Sequence, residues 1–474
     1  MTEWSLAIRN LLRNRRRSIS TLVALAIGLA SILLFNGFRA NLGFTMLTAY
    51  VRTGGHLQIQ HRDYFLYGSG NPTAYGITDY AALLDEIRKD PELGPMVEVA
   101  TPMLRFGGLA GNFDAGISRT VIGTGYVAED VDKMRQWNEY QVPVVRPRFP
   151  LVGTAPDSAI VGVGVARVLQ LCAKLHIADC PSPESEAAAP AARGAGKKPA
   201  ELPADIAALA GSEQASRPAA AIRPGARIEL LSSSANGAPN VASLNVVAAE
   251  DQGFKELDEI SVIVHLAQAQ KLVFGREAPR VTAIMVLLHK TADEARAQAR
   301  LTALLAPHLT PRQPLVVRSF NELNPFYVQS DKMFDVIFNF IFVLIGGIVL
   351  FTVSNTMNTA VVERTVEIGT LRAVGLRQGG IRRLFIMEGF VLGCVGAVTG
   401  ILAALLLGAV VNHSGLTWLP PGSSEHLPLQ LRVLGDMKTV LFTTLGLVMI
   451  ATASAWLPAW RAANLKVVEA LRHA

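Results

Sequence analysis

Apolar and polar positions alternate along most of this chain, but four stretches run apolar for membrane length. They are residues 19–38, 334–362 (interrupted by Asp335), 384–411 and, just long enough, 439–457. About 20 residues of helix cross the hydrocarbon core of a bilayer. The pattern therefore predicts transmembrane helices over 19–45, 326–362 (including an outer stalk), 384–411 and 439–460. Between the first two lies a long segment, 46–325, with soluble patterning. Residues 55–60 alternate like a strand, with Leu57 and Ile59 inward. Tyr80, Leu83, Leu84 and Ile87 mark an amphipathic helix ending before Pro91. Further strands are predicted at 97–106, 120–123, 227–231, 244–248, 261–265, 282–288 and 315–317, and helices at 163–175, 266–274 and 292–305. Ser319 and Glu322 have capping-box spacing, which starts a helix towards the second span unless Pro325 kinks or ends it.

Two kinds of stretch modify this picture. Half of residues 181–224 are Ala or Pro, a composition that buries little apolar area, so this part reads as a disordered or loosely helical insertion. Within it, Gly194 to Lys198 imitates a phosphate loop, but Ala191 and Lys198 stand where that loop needs Gly and Ser or Thr. Inside the spans, small residues recur every four positions: Ser20, Ala24 and Gly28 in the first, Gly396, Gly400, Ala404 and Gly408 in the third. Such rows let helices approach closely, within one subunit or across a dimer.

Composition agrees with a membrane protein: half of the residues are hydrophobic, 17% are charged, and the mean hydropathy is +0.32. The net charge of +6 invites a nucleic-acid reading, which its distribution opposes. The segments 1–18, 363–383 and 461–474 hold 13 basic and 4 acidic residues, and the remainder of the chain 31 and 34. With four spans these three segments share one side, which the positive-inside rule makes the cytoplasm. Residues 1–18, with Trp4, Ile8, Leu11 and Leu12 among arginines, are expected to form an interfacial helix on that side, followed by an uncleaved signal-anchor. Residues 46–325 and the loop 412–438 then lie outside.

Chemistry is sparse. The sequence has no nucleotide-binding loop, no Gly-x-Ser-x-Gly elbow, no His-Glu-x-x-His and no Cys/His cluster at metal spacing. His56 and His61 are poorly spaced as ligands. Cys172 and Cys180 lie in the external segment, either joined by a local disulfide or with Cys172 in the core. Glu388, early in the third span, is expected to pair with Arg382 or Arg383 at the interface. The strongest local signal is the short segment after Val362. Val362, Val366, Gly369 and Ala373 fall on one helical face, with Glu363, Arg364 and Glu367 on others. A short amphipathic helix of this kind suits a groove in a soluble partner better than it suits a plain connector.

These residues also carry a family resemblance. The run Glu363-Arg364-Thr365-Val366-Glu367-Ile368-Gly369-Thr370-Leu371-Arg372-Ala373-Val374-Gly375 resembles the signature of FtsX-like or MacB-like permeases of ABC transporters, the type VII architecture. The glycine-rich third span from Glu388-Gly389-Phe390 to Gly400, the tail from Pro458 to Arg472 and the opening Ala7 to Arg17 are similar to other parts of that family. Residues 55–60 and 243–259 look most like the LolC/LolE branch, whose members release lipoproteins; the 181–224 insertion departs from it.

The resemblance implies an α-helical membrane protein with four transmembrane helices and a large mixed α+β periplasmic domain between helices 1 and 2, multi-pass in the inner membrane with both termini cytoplasmic. It implies no catalytic group, metal or cofactor in this chain. ATP and Mg would be handled by a separate cytoplasmic ABC ATPase dimer. Glu363, Arg364, Glu367, Ile368, Leu371 and Arg372 would form the coupling helix seated on it. A second permease copy or paralogue would face this one, enclosing a cavity near Asn36, Phe38, Phe338 and Phe342 that admits lipid or lipidated cargo bound for a periplasmic carrier. Two other readings are a MacB-like transmitter exporting peptides, toxins or drugs with a periplasmic adaptor, and a signalling scaffold regulating a cell-wall hydrolase. None involves nucleic acid.

Overall fold

The computed structural model describes residues 9, 13, 15–143, 147–177, 225–419 and 427–465. The insertion 181–224, Cys180, most of 1–18 and the end of the tail lie outside the described residues. The chain divides into two units: Met1–Leu47 with Asn324–Trp418 and Leu427–Ala474, and Thr48–Leu323 with Leu419–His426.

Among its described residues the first unit has four helices long and apolar enough to cross a membrane. The first runs over Arg15–Gly54 and the second over Pro325–Glu363, 40 and 39 residues. At 1.5 Å per residue each rises about 60 Å, roughly twice the hydrocarbon thickness. The third runs over Gln378–His413. The fourth runs over Met437–Ser454 and, after a break at Ala455, continues as a short helix, Trp456–Ala463. Pro325 neither kinks nor ends the second helix. It occupies the first turn, where its missing N–H costs nothing. The capping spacing serves a separate four-residue helix, Phe320–Leu323, in which the N–H of Glu322 donates to Ser319 Oγ over 3.3 Å.

Small residues decide how these helices meet. A Cβ at Gly396 or Gly400 would stand 2.7 or 2.9 Å from the Cβ of Leu25 or Leu29 on the first helix. Such contacts leave no room for a side chain, so backbone packs directly on side chain. Ala404 is fully buried in the same row, and Gly408 faces Val433 in the loop before the fourth helix. Gly389 and Gly393 face Ala455 and Ala451 of the fourth-helix segment. Gly28 lies against Ile345 and Val349 of the second helix, Ala24 is half-buried and Ser20 is exposed. In this structure the third-span row is therefore used inside one chain.

The second unit is mixed α and β. Its strands are β1 (Leu57–His61), β2 (Val97–Asn112), β3 (Ile117–Tyr126), β4 (Ser158–Gly162), β5 (Ala226–Ser233), β6 (Pro239–Glu250), β7 (Ser261–His265), β8 (Ala283–Leu288) and β9 (Leu315–Ser319). Their order is β3-β7-β4-β6-β5-β2-β8-β1-β9, and β3 also pairs with β2. Six strands thus close into a ring. The long β2 makes this possible: its first half pairs with β8 and its second half with β5, while its other edge holds β3. Phe106 on β2 fills the inside of the ring because its cross-strand partner is Gly123, where a Cβ would collide with the aromatic ring.

The expected helix over 163–175 is two short ones, Val163–Val168 and Cys172–Leu175. Gln170 between them adopts φ +55°, a left-handed conformation that a continuing helix excludes. Asp258 fixes the first of the two, accepting the N–H groups of Val163 and Gly164 at 2.8 and 2.7 Å.

Candidate functional site

The chain leaves the second membrane helix through a break of one residue. Arg364 takes φ −103° and ψ 16°, and a nine-residue helix, Thr365–Ala373, follows. Thr365 supports the break by donating its hydroxyl to the carbonyl of Val362 over 2.8 Å. Gly375, at φ +105°, ends the short helix and lets Leu376 N–H donate to the carbonyl of Leu371 over 3.0 Å.

One face of this helix is fixed to the membrane unit. Arg364 Nη1 donates to Glu388 Oε1 over 3.0 Å, with side chains only 11% and 3% exposed. The sequence pointed to Arg382 or Arg383 as partner of Glu388; both are exposed instead, because the break swings Arg364 into the position facing the third helix. Ile368 and Gly369 of the short helix are buried. At the far end, Arg372 Nη1 donates to the carbonyls of Ala463 (3.3 Å) and Leu465, at the end of the fourth-span segment. The opposite side is exposed: Val366, Thr370 and Leu371, with Val374 at its end and Val362 and Glu363 before the break. Glu367 on this side forms an exposed ion pair with Arg13. Of the six residues expected to face a partner, Glu363, Glu367 and Leu371 are exposed, whereas Arg364, Ile368 and Arg372 hold the helix in place.

The four residues named for a cavity lie on the first two membrane helices, Asn36 and Phe38 on the first and Phe338 and Phe342 one turn apart on the second. Asn36 is 1% exposed and its side-chain nitrogen has no partner. Phe338 is buried and stacks on Phe35 at 6.5 Å. Phe38 meets Trp418 edge-on, and Phe342 lies against Phe442 and over Gly446. Two polar contacts between the first two helices escaped the sequence reading: Thr21 Oγ1 to Thr356 Oγ1 (2.9 Å) and Arg39 to Asp331 and Asp335 (3.3 and 2.6 Å). Asp335 interrupting an apolar run, with Arg39 at the end of another, was the available signal for the second.

In the α/β unit, His56 is fully buried. Its Nδ1 accepts the Leu288 N–H (3.1 Å), so Nε2 carries the proton and donates to Thr291 Oγ1 (3.1 Å). Thr291 in turn donates to Glu139 Oε2 (2.8 Å). Burial lowers the imidazole pKa to about 4. Among the described residues no group of three or more His, Cys, Asp or Glu is placed to hold a metal ion.

Residues 336–467 match the model of the FtsX-like permease C-terminal family, a stretch that contains most of the second membrane helix, the third and fourth, and the short helix with its two arginine anchors. The chain carries an FtsX-like permease domain. The chain is similar to the lipoprotein-releasing system transmembrane protein LolC of Neisseria meningitidis, 27% identical over 245 residues, 50% of this chain and 56% of that protein. It is also similar to the macrolide export ATP-binding/permease protein MacB of Nitrobacter winogradskyi, 37% identical over 128 residues, 27% of this chain and 17% of that one. The pyoverdine export ATP-binding/permease protein PvdT of Pseudomonas entomophila is 30% identical over 222 residues, 46% and 31%. The chain spans about half the length of the LolC relatives it matches. Residues 336–467 are thus an FtsX-like permease domain, in a chain similar to LolC over half of its length and to MacB over a shorter stretch.

Proposed function

We propose that this protein is the membrane permease of an ATP-driven transport complex, multi-pass in the inner membrane with both termini in the cytoplasm. The supporting observation is the two-sided helix Thr365–Ala373. One side is held by a buried ion pair and main-chain bonds, and the exposed side carries Val366 and Leu371, with Val374 at its end and Val362 just before the break. A surface helix gains nothing from an exposed apolar ridge, and a groove in a soluble partner covers it. The partner is an ABC ATPase dimer that binds ATP and Mg, acting with this permease and a second copy or paralogue.

The proposed cargo is a lipoprotein or another lipidated, hydrophobic molecule moved outward to a periplasmic carrier. Similarity to LolC along half of the chain supports this reading. Export of peptides, toxins or drugs with a periplasmic adaptor is the second reading, supported by similarity to MacB and PvdT.

The test is to purify the tagged permease from its native membranes with whatever ATPase it retains. Leu371→Asp, which charges the exposed ridge, should lose the bound ATPase while Gly375-side folding and yield are unchanged. Co-purified ATP hydrolysis at wild-type level in that variant would refute the docking face. Acylated lipoprotein crosslinked in wild type would support the first cargo, and its absence alongside captured peptide or drug would support the second.

A further inference from the structure

We infer that the Arg364–Glu388 ion pair is the joint that carries movement of the short helix into the third membrane helix; this rests on the permease reading. Arg364 is the one residue between two helices: it caps the end of the second, its N–H donating to the carbonyl of Ala360 over 3.1 Å, and the start of the short one. Its guanidinium crosses to Glu388, ten residues into the third helix, where the carboxylate is almost wholly buried. The two glycine contacts just beyond it, Gly389 on Ala455 and Gly393 on Ala451, seat that part of the third helix against the fourth-span segment. Arg372, two turns along the short helix, is bonded to the end of the same segment at Ala463 and Leu465. A push on the exposed ridge therefore meets two polar fastenings, one to the third helix and one to the fourth-span end.

Stability alone does not account for such a pair. Removing two charges from water is costly, and apolar residues of similar volume commonly replace buried pairs without loss. Ion pairs and bidentate donors do fix direction and register where apolar contacts slide. Glu367 on the exposed side pairs with Arg13, and the buried Ile368 and Gly369 add apolar contacts, which permit sliding. On this reasoning Arg364 and Glu388 are positioning residues: they determine whether the third helix follows the short one, and not whether the ATPase binds.

The experiment uses the full permease with its co-purified ATPase in nanodiscs. Hydrogen exchange is followed in segments 365–377 and 384–396, without nucleotide and with ATP plus vanadate. In wild type both segments should change together on trapping. In Arg364→Met and Glu388→Met the ATPase should remain bound and 365–377 should still respond, while the response of 384–396 falls at least tenfold. The exchanged pair Arg364→Glu/Glu388→Arg should restore it. A purely structural role would raise exchange in both segments whether or not nucleotide is present, and that result overturns the inference. So does an unchanged response of 384–396 in the single variants, or loss of the ATPase from them. If wild type itself retains no ATP hydrolysis, the permease reading falls and takes this inference with it.

Discussion

Arg432 donates its main-chain N–H to the carbonyl oxygen of Gly37 over 3.1 Å, in the middle of the first long helix. The loop before the fourth helix thereby lies across the first. A Cβ at position 37 would stand 3.0 Å from Val433 N, and Val433 fills the space between Gly37 and Gly408. Asn412 holds the same strap, accepting the N–H of Leu431 (2.7 Å) and donating to its carbonyl (3.1 Å). Gly37→Val should lift the strap and cost about 1–3 kcal/mol, the usual range for overpacking. Hydrogen exchange in 429–436 should rise with it. Gly43, where a Cβ meets nothing within 4 Å, is the control. Gly43→Ala should stabilise the helix by up to about 1 kcal/mol. Equal melting of both variants would show that the strap does not bear on the first helix.

The glycine row of the third helix makes a pairwise prediction. Gly396→Ala places a methyl 2.7 Å from Leu25 Cβ, closer than real Cβ contacts come. The obstruction is the Cβ of a leucine, which is bonded directly to the backbone and is not a flexible end that can move aside. Gly396→Ala should therefore lower the melting temperature in detergent, and Leu25→Ala should relieve part of the loss. A double-mutant cycle should give coupling of about 0.5–3 kcal/mol, as expected for residues in contact. Additive effects would place the row against something other than Leu25.

Much of this was readable from the chain, for identifiable reasons. Membrane length and hydrophobic runs depend on composition over some twenty residues, so the spans were legible without knowing their neighbours. The alternation at Leu57 and Ile59 located β1, whose inward residues are fully buried. What was not legible depended on partners far along the chain. Glu388 had two arginines near it in sequence, and proximity pointed to those; a one-residue break in the helix at Arg364 brought a third arginine to it instead. The strand Ser158–Gly162 and the helix Ala128–Gln136 were not legible because each is short, five and nine residues. Gln170 broke a helix whose apolar spacing was regular, since a left-handed residue leaves no trace in hydrophobic periodicity. The exposed ridge on the short helix was visible as spacing, but which of its charged neighbours faced inward was not.

Arg39 reaches two carboxylates of the second helix, Asp331 and Asp335. Both acids are about half exposed, so in water each contact would be worth about 1 kcal/mol or less. Asp335 stands at the edge of an apolar run, where an unpaired charge costs more. Arg39→Leu should therefore be more damaging than the double variant Arg39→Leu/Asp335→Leu, which removes charge from both sides. Melting in nanodiscs would show the order, and a double variant less stable than the single one would refute the pairing.

His56 and Glu294 give the α/β unit opposing responses to acid. Burial holds the His56 imidazole at about 4, below its ordinary 6.5. Above pH 6.5 both the folded and unfolded forms are neutral. As the pH falls from 6.5 to 4, the unfolded chain takes up a proton that the folded one does not, so stability is lost. The shift corresponds to about 3 kcal/mol. Glu294 is moved the other way, to about 7, by burial first and the neighbouring charge of Glu322 second. Between pH 7 and 4.5 the folded protein holds a proton that the unfolded chain has released, so acidification stabilises. The two slopes partly cancel in the native protein. Glu294→Gln removes the compensating slope, so hydrogen exchange of β1 and β8 should accelerate more steeply on going from pH 7 to 5 than in wild type, after correction for intrinsic rates. His56→Gln should flatten the response or reverse its sign, whatever it does to stability at neutral pH. Parallel pH profiles for wild type and both variants would mean that neither group titrates differently on folding.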